Sequence, residues 1–328
     1  MNEARTGEAS DAAPRAATAP GDAPPSLSVT LTSYGPALAE AAGIEQLLEQ
    51  ARQAEAAGVD RLLLTDHVVM GEHTDRYPWG PFPFAPETPW LEPLTLIAAL
   101  ATVTRRVRFS TKILIAPLRP APLLAKTLAT LDVLSNGRLE IGVATGWQRE
   151  ELDAAGIAWS KRGRILTDTM AACRALWRDG PASFTSPTVS FERIWCRPRP
   201  VQPEGIPIWF AGGLHPRNLD RIVRLGDGWI PAPYTPVEPF RRDATRVREA
   251  FARAGRDPRR LGLQGDLEAV AGRDGRPDLA ASLAAVPDWA RAGATTINVV
   301  LSLFGGPRRA ARCFEILAEE WPRQRARI

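Results

Sequence analysis

From Leu27 onward the chain alternates short apolar runs with longer segments of helical spacing, and this alternation restricts the fold more than any other feature. LSVTLTS (27–33) reads as a strand. GIEQLLEQARQAEAAG (43–58) follows, with Ile44, Leu47, Leu48 and Ala51 at helical spacing and Gly58 as a stop. Further strands are expected at 59–66, 107–116, 138–145, 206–213, 227–232, 261–271 and 295–303. Helices are expected at 90–104, 122–137, 162–180, 215–226, 236–255 and 306–321, and the segment 277–293 is expected to be mostly helical. A strand–helix unit repeated in this way implies an α/β fold, a single (β/α)8 TIM barrel over 27–328. The rival is a doubly wound open sheet, against which stand the number of repeats and the lack of a GxGxxG opening. Two segments are too long for ordinary barrel loops, a lid loop after strand two, 67–89, and an insert after the strand-four helix, 181–204, that resembles a hairpin, and both are expected to shape the substrate pocket.

Between Asn2 and Ser26 there is no Val, Ile, Leu, Phe, Trp or Tyr, so 1–26 reads as a disordered tail that cannot bury enough apolar surface to offset its ordering entropy. The chain has 41 Lys plus Arg against 37 Asp plus Glu, a formal charge of +4. Three of the cations are Lys; the Arg are spread along the chain among acids, which argues against nucleic-acid binding. No apolar run approaches the ~18 residues of a membrane span. Cys173, Cys196 and Cys313 are far apart, in neither disulfide nor metal-ligand spacing, and point to the cytoplasm.

Barrel enzymes place their chemistry at the carboxyl ends of the strands. His67, just past strand two, is the leading catalytic candidate, because imidazole titrates near neutral pH. Asp66 beside it is read as its orienting group, while the bland alternative is a capping Asp next to a packed His. Gly212-Gly213 before a helix starting at His215 reads either as a phosphate cradle or as a plain turn, with Arg217 adding charge nearby. No metal-ligand spacing, GxSxG or P-loop is present, so a cofactor is expected to carry the chemistry. Tyr77, Trp79, Phe82, Phe84 and Trp90 in and beside the lid point to an apolar or aromatic substrate, or to a loop packed on itself.

GVDRLLLTDHVV (58–69), LDVLSNGR (131–138), GW-x-x-E-E (146–151) and LGDGW (225–229) together resemble the bacterial-luciferase-like oxidoreductases, the luciferase-like monooxygenase family. The wording is most similar to an actinobacterial subgroup. The resemblance implies a flavin- or deazaflavin-dependent oxidoreductase that acts on a small organic substrate with coenzyme F420. The alternatives are an FMN-dependent monooxygenase served by a separate flavin reductase, and a non-catalytic flavin-binding barrel. It also implies that His67 lies beside the reactive ring and that Asp66 belongs to the cofactor site. Thr111, Lys112 and Ile113 match a strand-three bulge, often with a non-prolyl cis peptide, behind the ring. Thr145, Gly146 and Trp147 match a turn near it. Gly212, Gly213 and Leu214, flanked by Ala211 and His215, match the phosphate-binding turn. Deazaflavin-dependent sugar dehydrogenases of the family carry a Glu where this chain has Trp147. Members are often homodimers.

Overall fold

The structure, a computed structural model, describes residues 23–35, 38 and 41–328. Most of the expected tail lies outside the described residues; the first strand begins at Ser26.

The barrel strands are β1 (Ser26–Thr30), β2 (Arg61–Leu64), β3 (Arg108–Thr111), β4 (Leu114–Ile115) and β5 (Ile141–Ala144). After the hairpin β6 (Ala182–Thr185) and β7 (Ser190–Ile194) come β8 (Ile208–Ala211), β9 (Gly228–Ile230), β10 (Gly262–Asp266) and, beyond the small ribbon β11 (Val270–Ala271) and β12 (Pro277–Asp278), β13 (Thr296–Val300). Their lateral order is β3-β2-β1-β13-β10-β9-β8-β5-β4, parallel throughout. β3 and β4 are two halves of one strand, interrupted at a cis Lys112-Ile113 peptide where the bulge was expected. The ring closes where Phe109 bridges Leu139 beside β5. There the Phe109 N–H donates to the Arg138 carbonyl at 2.8 Å and the Glu140 N–H to the Phe109 carbonyl at 2.8 Å. This is the expected α/β barrel of eight strand positions.

The helices are α1 (Ala41–Ala56), α2 (Pro93–Val103), α3 (Ala121–Leu134), α4 (Arg149–Ala154), α5 (Arg162–Leu176), α6 (Pro216–Leu225), α7 (Val237–Arg253), α8 (Leu279–Leu283), α9 (Val286–Arg291) and α10 (Ala310–Arg325). Among the described residues no helix is long and apolar enough to cross a membrane. Alternate strand residues face opposite sides. Val29, Leu62, Leu64, Val143, Phe210 and Val299 point outward and build the core under the helices. The inward residues are unusually polar for such a barrel: Ser28, Thr30, Ser110, Gln264, Thr296 and Asn298 are all buried.

At the amino-terminal end the Glu140 carboxylate accepts from Arg61 Nε at 3.1 Å, Arg108 Nε at 2.6 Å and Trp209 Nε1 at 3.0 Å. The Trp209 indole fits because Gly228 and Gly262 oppose it; a Cβ on either would come within 2.2 Å and 2.3 Å of the ring. Burial pushes the Glu140 carboxyl up, but Arg61 and Arg108 outweigh it and hold it down to about 2.

The segment 277–293 is mostly helical as expected, in two short helices, α8 and α9. Two expectations need correction. Strand seven ends at Asp266 rather than 271, and Val270-Ala271 belongs to the β11–β12 ribbon. The insert 181–204 does not shape the mouth. Its hairpin lies along α5, with Thr188 Oγ1 donating to Asp168 at 2.8 Å, and its far end reaches the amino-terminal rim, where Gln202 Nε2 donates to Asp132 and to the Leu139 carbonyl.

Candidate functional site

The carboxyl ends of the strands form a mouth covered on one side by the loop between β2 and α2. His67 follows the inward-facing Leu63 and Thr65 and turns toward this mouth. Its Nδ1 lies 3.1 Å from Glu151 Oε2, and Glu151 Oε1 accepts the Val68 N–H at 2.6 Å. The Glu151 side chain is 1% exposed. As a carboxylate it accepts the Nδ1 proton and leaves Nε2 as the nitrogen free to act. Among the described residues Nε2 has no hydrogen-bond partner.

Asp66 does not orient His67. One residue earlier, in the extended segment just past β2, it faces the other way, and its buried carboxylate accepts from the Ile115 N–H at 2.8 Å and from both Arg119 terminal nitrogens at 2.7 Å and 3.0 Å. Arg119 continues to Glu92, which caps α2 by accepting the Thr95 N–H at 2.6 Å. Asp66 thus fixes β4 and α2. Thr111 is likewise turned from the mouth: it is fully buried, and its Oγ1 donates to the Gly142 carbonyl at 2.7 Å.

The sequence reading missed Glu151 as the partner of His67 because α4 was not expected. Gln148, one turn earlier, fastens the same helix to the lid by accepting the Gly71 N–H at 2.8 Å and donating to the Gly71 carbonyl at 3.1 Å. The turn before α4 needs Gly146, whose φ is +77° and where a Cβ would stand 2.9 Å from Ile115 Cγ2. Thr145 beside it is half-buried.

Aromatic rings surround His67. Trp90 is 4.9 Å away, Trp147 5.9 Å and Phe82 6.3 Å, all edge-on. Tyr77 packs on Phe82 and Trp147, while Tyr34 and Phe84 pack on Trp90. Burial, reinforced by the phenols of Tyr234 and Tyr34, pushes Tyr77 up to about 12, so its hydroxyl stays protonated at neutral pH. Tyr234 holds a left-handed φ of +58° in the β9–α7 loop, a rarely populated conformation for its type. A cavity of about 120 Å³ lies between His67, Trp90 and Met70.

Across the mouth, after β8, stands the glycine turn. Gly212 has φ +103°, and a Cβ on Gly213 would meet nothing within 4 Å. Among the described residues the N–H groups of Gly213 and Leu214 have no acceptor. Asn218 Nδ2 supports the turn by donating to the carbonyls of Ala211 and Gly213 at 3.2 Å and 3.1 Å. His215 caps α6, its Nδ1 accepting the Asn218 N–H at 3.4 Å. Partial burial lowers the His215 pKa, and the nearby charges of Arg221 and Arg217 lower it further. Ala144 and Ala211 end β5 and β8 with small side chains beside this turn. Lys112 reaches across the mouth to Asp266, Nζ to Oδ1 2.7 Å, and Ile113 follows it on the far side of the cis bond. The structure therefore gathers His67, Lys112, Trp147 and the glycine turn at one mouth, and directs the side chains of Asp66 and Thr111 elsewhere.

The family model described as luciferase-like monooxygenase matches residues 26–286. An uncharacterized protein of Mycobacterium tuberculosis is 36% identical over 227 residues, 67% of this chain and 71% of that protein. An F420-dependent glucose-6-phosphate dehydrogenase of Amycolatopsis mediterranei is 30% identical over 198 residues, 59% of this chain and 55% of the relative. Among solved structures, the monooxygenase RslO1 from Streptomyces bottropensis superposes with a TM-score of 0.74 at 21% identity, covering 91% of this chain and 99% of that one, a likeness of fold.

Proposed function

The chain belongs to the luciferase-like monooxygenase family, and we propose that it is an oxidoreductase using coenzyme F420 to move a hydride to or from a small organic substrate. One observation carries the reading: an open cradle of unpaired N–H groups after β8 faces, across one mouth, a histidine held by a buried carboxylate after β2. The relative with F420-dependent dehydrogenase activity supports the choice of coenzyme.

The residues fit a flavin-type group. Gly213 and Leu214 would bind its phosphate through backbone N–H groups, next to the positive field of Arg217 and Arg221. Ala144 and Ala211 would leave room for a flat ring. When bound, the coenzyme supplies the redox chemistry: a deazaflavin exchanges a hydride, and reduced FMN activates oxygen. The protein's share is placement and proton handling. Glu151 holds His67 so that Nε2 can hold or deliver a proton at the substrate. The aromatic lid excludes water and favours an apolar or aromatic substrate.

That dry aromatic enclosure also favours a second reading, an FMN-dependent monooxygenase supplied by a separate flavin reductase, since oxygen chemistry needs water kept from the ring. Titrating F420 and FMN against the wild type and Gly213→Asp separates the two. The wild type is expected to bind F420 more tightly. The variant, which sets a carboxylate in the cradle without a steric clash, is expected to bind about tenfold or more weakly, a change of at least ~1.4 kcal/mol. Tight binding of FMN alone moves the assignment to the second reading; binding of neither overturns both.

A further inference from the structure

The Lys112–Asp266 pair at the mouth has no part in the chemistry above. Lys112 stands at the end of β3 and Asp266 ends β10. In the ring these two strands occupy opposite positions, so their 2.7 Å ion pair spans the barrel from side to side. Asp266 is held in place: the same Oδ1 accepts from Gln264 Nε2 at 3.1 Å and Asn298 Nδ2 at 3.0 Å, and Asn298 Oδ1 in turn accepts from Thr30 Oγ1 at 3.0 Å. Lys112 is less committed. An ammonium has three N–H donors; one meets Asp266, and among the described residues the others have no acceptor. Its side chain is 17% exposed.

Ring order also fixes what lies over this bridge. The glycine turn follows β8 and His67 follows β2, and these two strands lie on opposite sides of the line from β3 to β10. A ligand anchored at Gly213 and reaching His67 must therefore cross the Lys112–Asp266 pair.

We propose that Lys112 selects the charge state of the bound redox ring, binding the reduced, more negative form in preference to the oxidised one. The inference rests on the coenzyme reading above. Hydride uptake brings two electrons and one proton, so the ring becomes one charge more negative. An ammonium with unpaired N–H donors beneath it stabilises that added charge, and Asp266 sets how much of the positive field reaches the ring. Lys112 is in this sense a cofactor-tuning residue, distinct from the proton handling at His67.

The test measures dissociation constants for oxidised and reduced coenzyme, and the two-electron potential of the bound coenzyme, in wild type, Lys112→Met and Asp266→Asn. Lys112→Met is expected to leave oxidised binding nearly unchanged and weaken reduced binding about tenfold, lowering the potential by ~30 mV. Asp266→Asn, nearly isosteric and still able to accept from Lys112, is expected to shift the potential upward. These opposite signs are the signature of charge tuning, and Asp266→Asn carries the test alone if Lys112→Met does not fold. A shift of the same sign in both variants, or no shift in either, would leave the bridge a structural tie and overturn the proposal. If the wild type binds neither coenzyme, the coenzyme reading itself fails and this one with it.

Discussion

The two ends of the barrel carry comparable charged clusters put to opposite uses. At the amino-terminal end Glu140 is enclosed by Arg61, Arg108 and Trp209, and every strong donor aimed at it finds its acceptor. At the mouth, His67 Nε2, two N–H groups of Lys112 and the N–H groups of Gly213 and Leu214 have no acceptor or donor among the described residues. Closed charge networks stabilise a fold; polar groups held in place but unpaired are what a ligand meets. The contrast predicts that changes at the two ends will separate into stability and activity.

The largest effect is expected at the mouth. His67→Gln should lower turnover ~10²–10⁴-fold while the melting temperature moves little, because the amide still fills the site and can donate to Glu151 but cannot exchange a proton near neutral pH. Steady-state kinetics with the bound coenzyme read this directly, and undiminished turnover removes His67 from the chemistry.

Next comes the closed end. Glu140→Gln should cost roughly 3 kcal/mol near neutral pH, the stabilisation implied by a carboxyl held at about 2 against an ordinary 4.5. The sign follows from a depressed folded pKa: the stabilisation is present above 4.5 and fades as pH falls toward 2. Urea unfolding at pH 7 and pH 3 should show the gap between wild type and variant narrowing in acid, with coenzyme affinity unaltered. A gap of equal size at both pH values would break the comparison.

The smallest effect tests the joint between scaffold and chemistry. The carboxylate of Glu151 accepts from both His67 and Val68, whereas Glu151→Gln offers one oxygen and must turn its amide toward one of them. The imidazole proton then moves to Nε2 or the Val68 bond is lost. Turnover should fall about tenfold with a shifted pH profile. Nitrogen chemical shifts of His67 should report the tautomer, and an unchanged tautomer with unchanged kinetics would show that Glu151 only packs.

Much of this was legible in the sequence, and the misses have physical causes. His67 and the Gly212-Gly213 turn were found because strand ends are marked by local signals: apolar runs that stop, and glycine before a helix. Asp66 was assigned to His67 because the two are adjacent, yet adjacency in an extended segment sends side chains to opposite faces. Asp266 went unnoticed because strand seven was carried five residues too far, which hid the acid at its true end. Glu151 sits in a six-residue helix, too short to show a period. The insert 181–204 was read as a pocket wall from its length alone, and length does not say which end of a barrel a segment covers.

By itself the sequence determined the order of the eight barrel strands and of the long helices between them, and the residues that stand at most strand ends, because these depend on interactions within a few residues. Ring closure decided which strand ends face one another. Lys112 and Asp266 are 154 positions apart, and His67 and Glu151 are 84 apart. They meet because eight strands closed into a barrel bring opposite edges within reach of one side chain, and no local pattern encodes that distance.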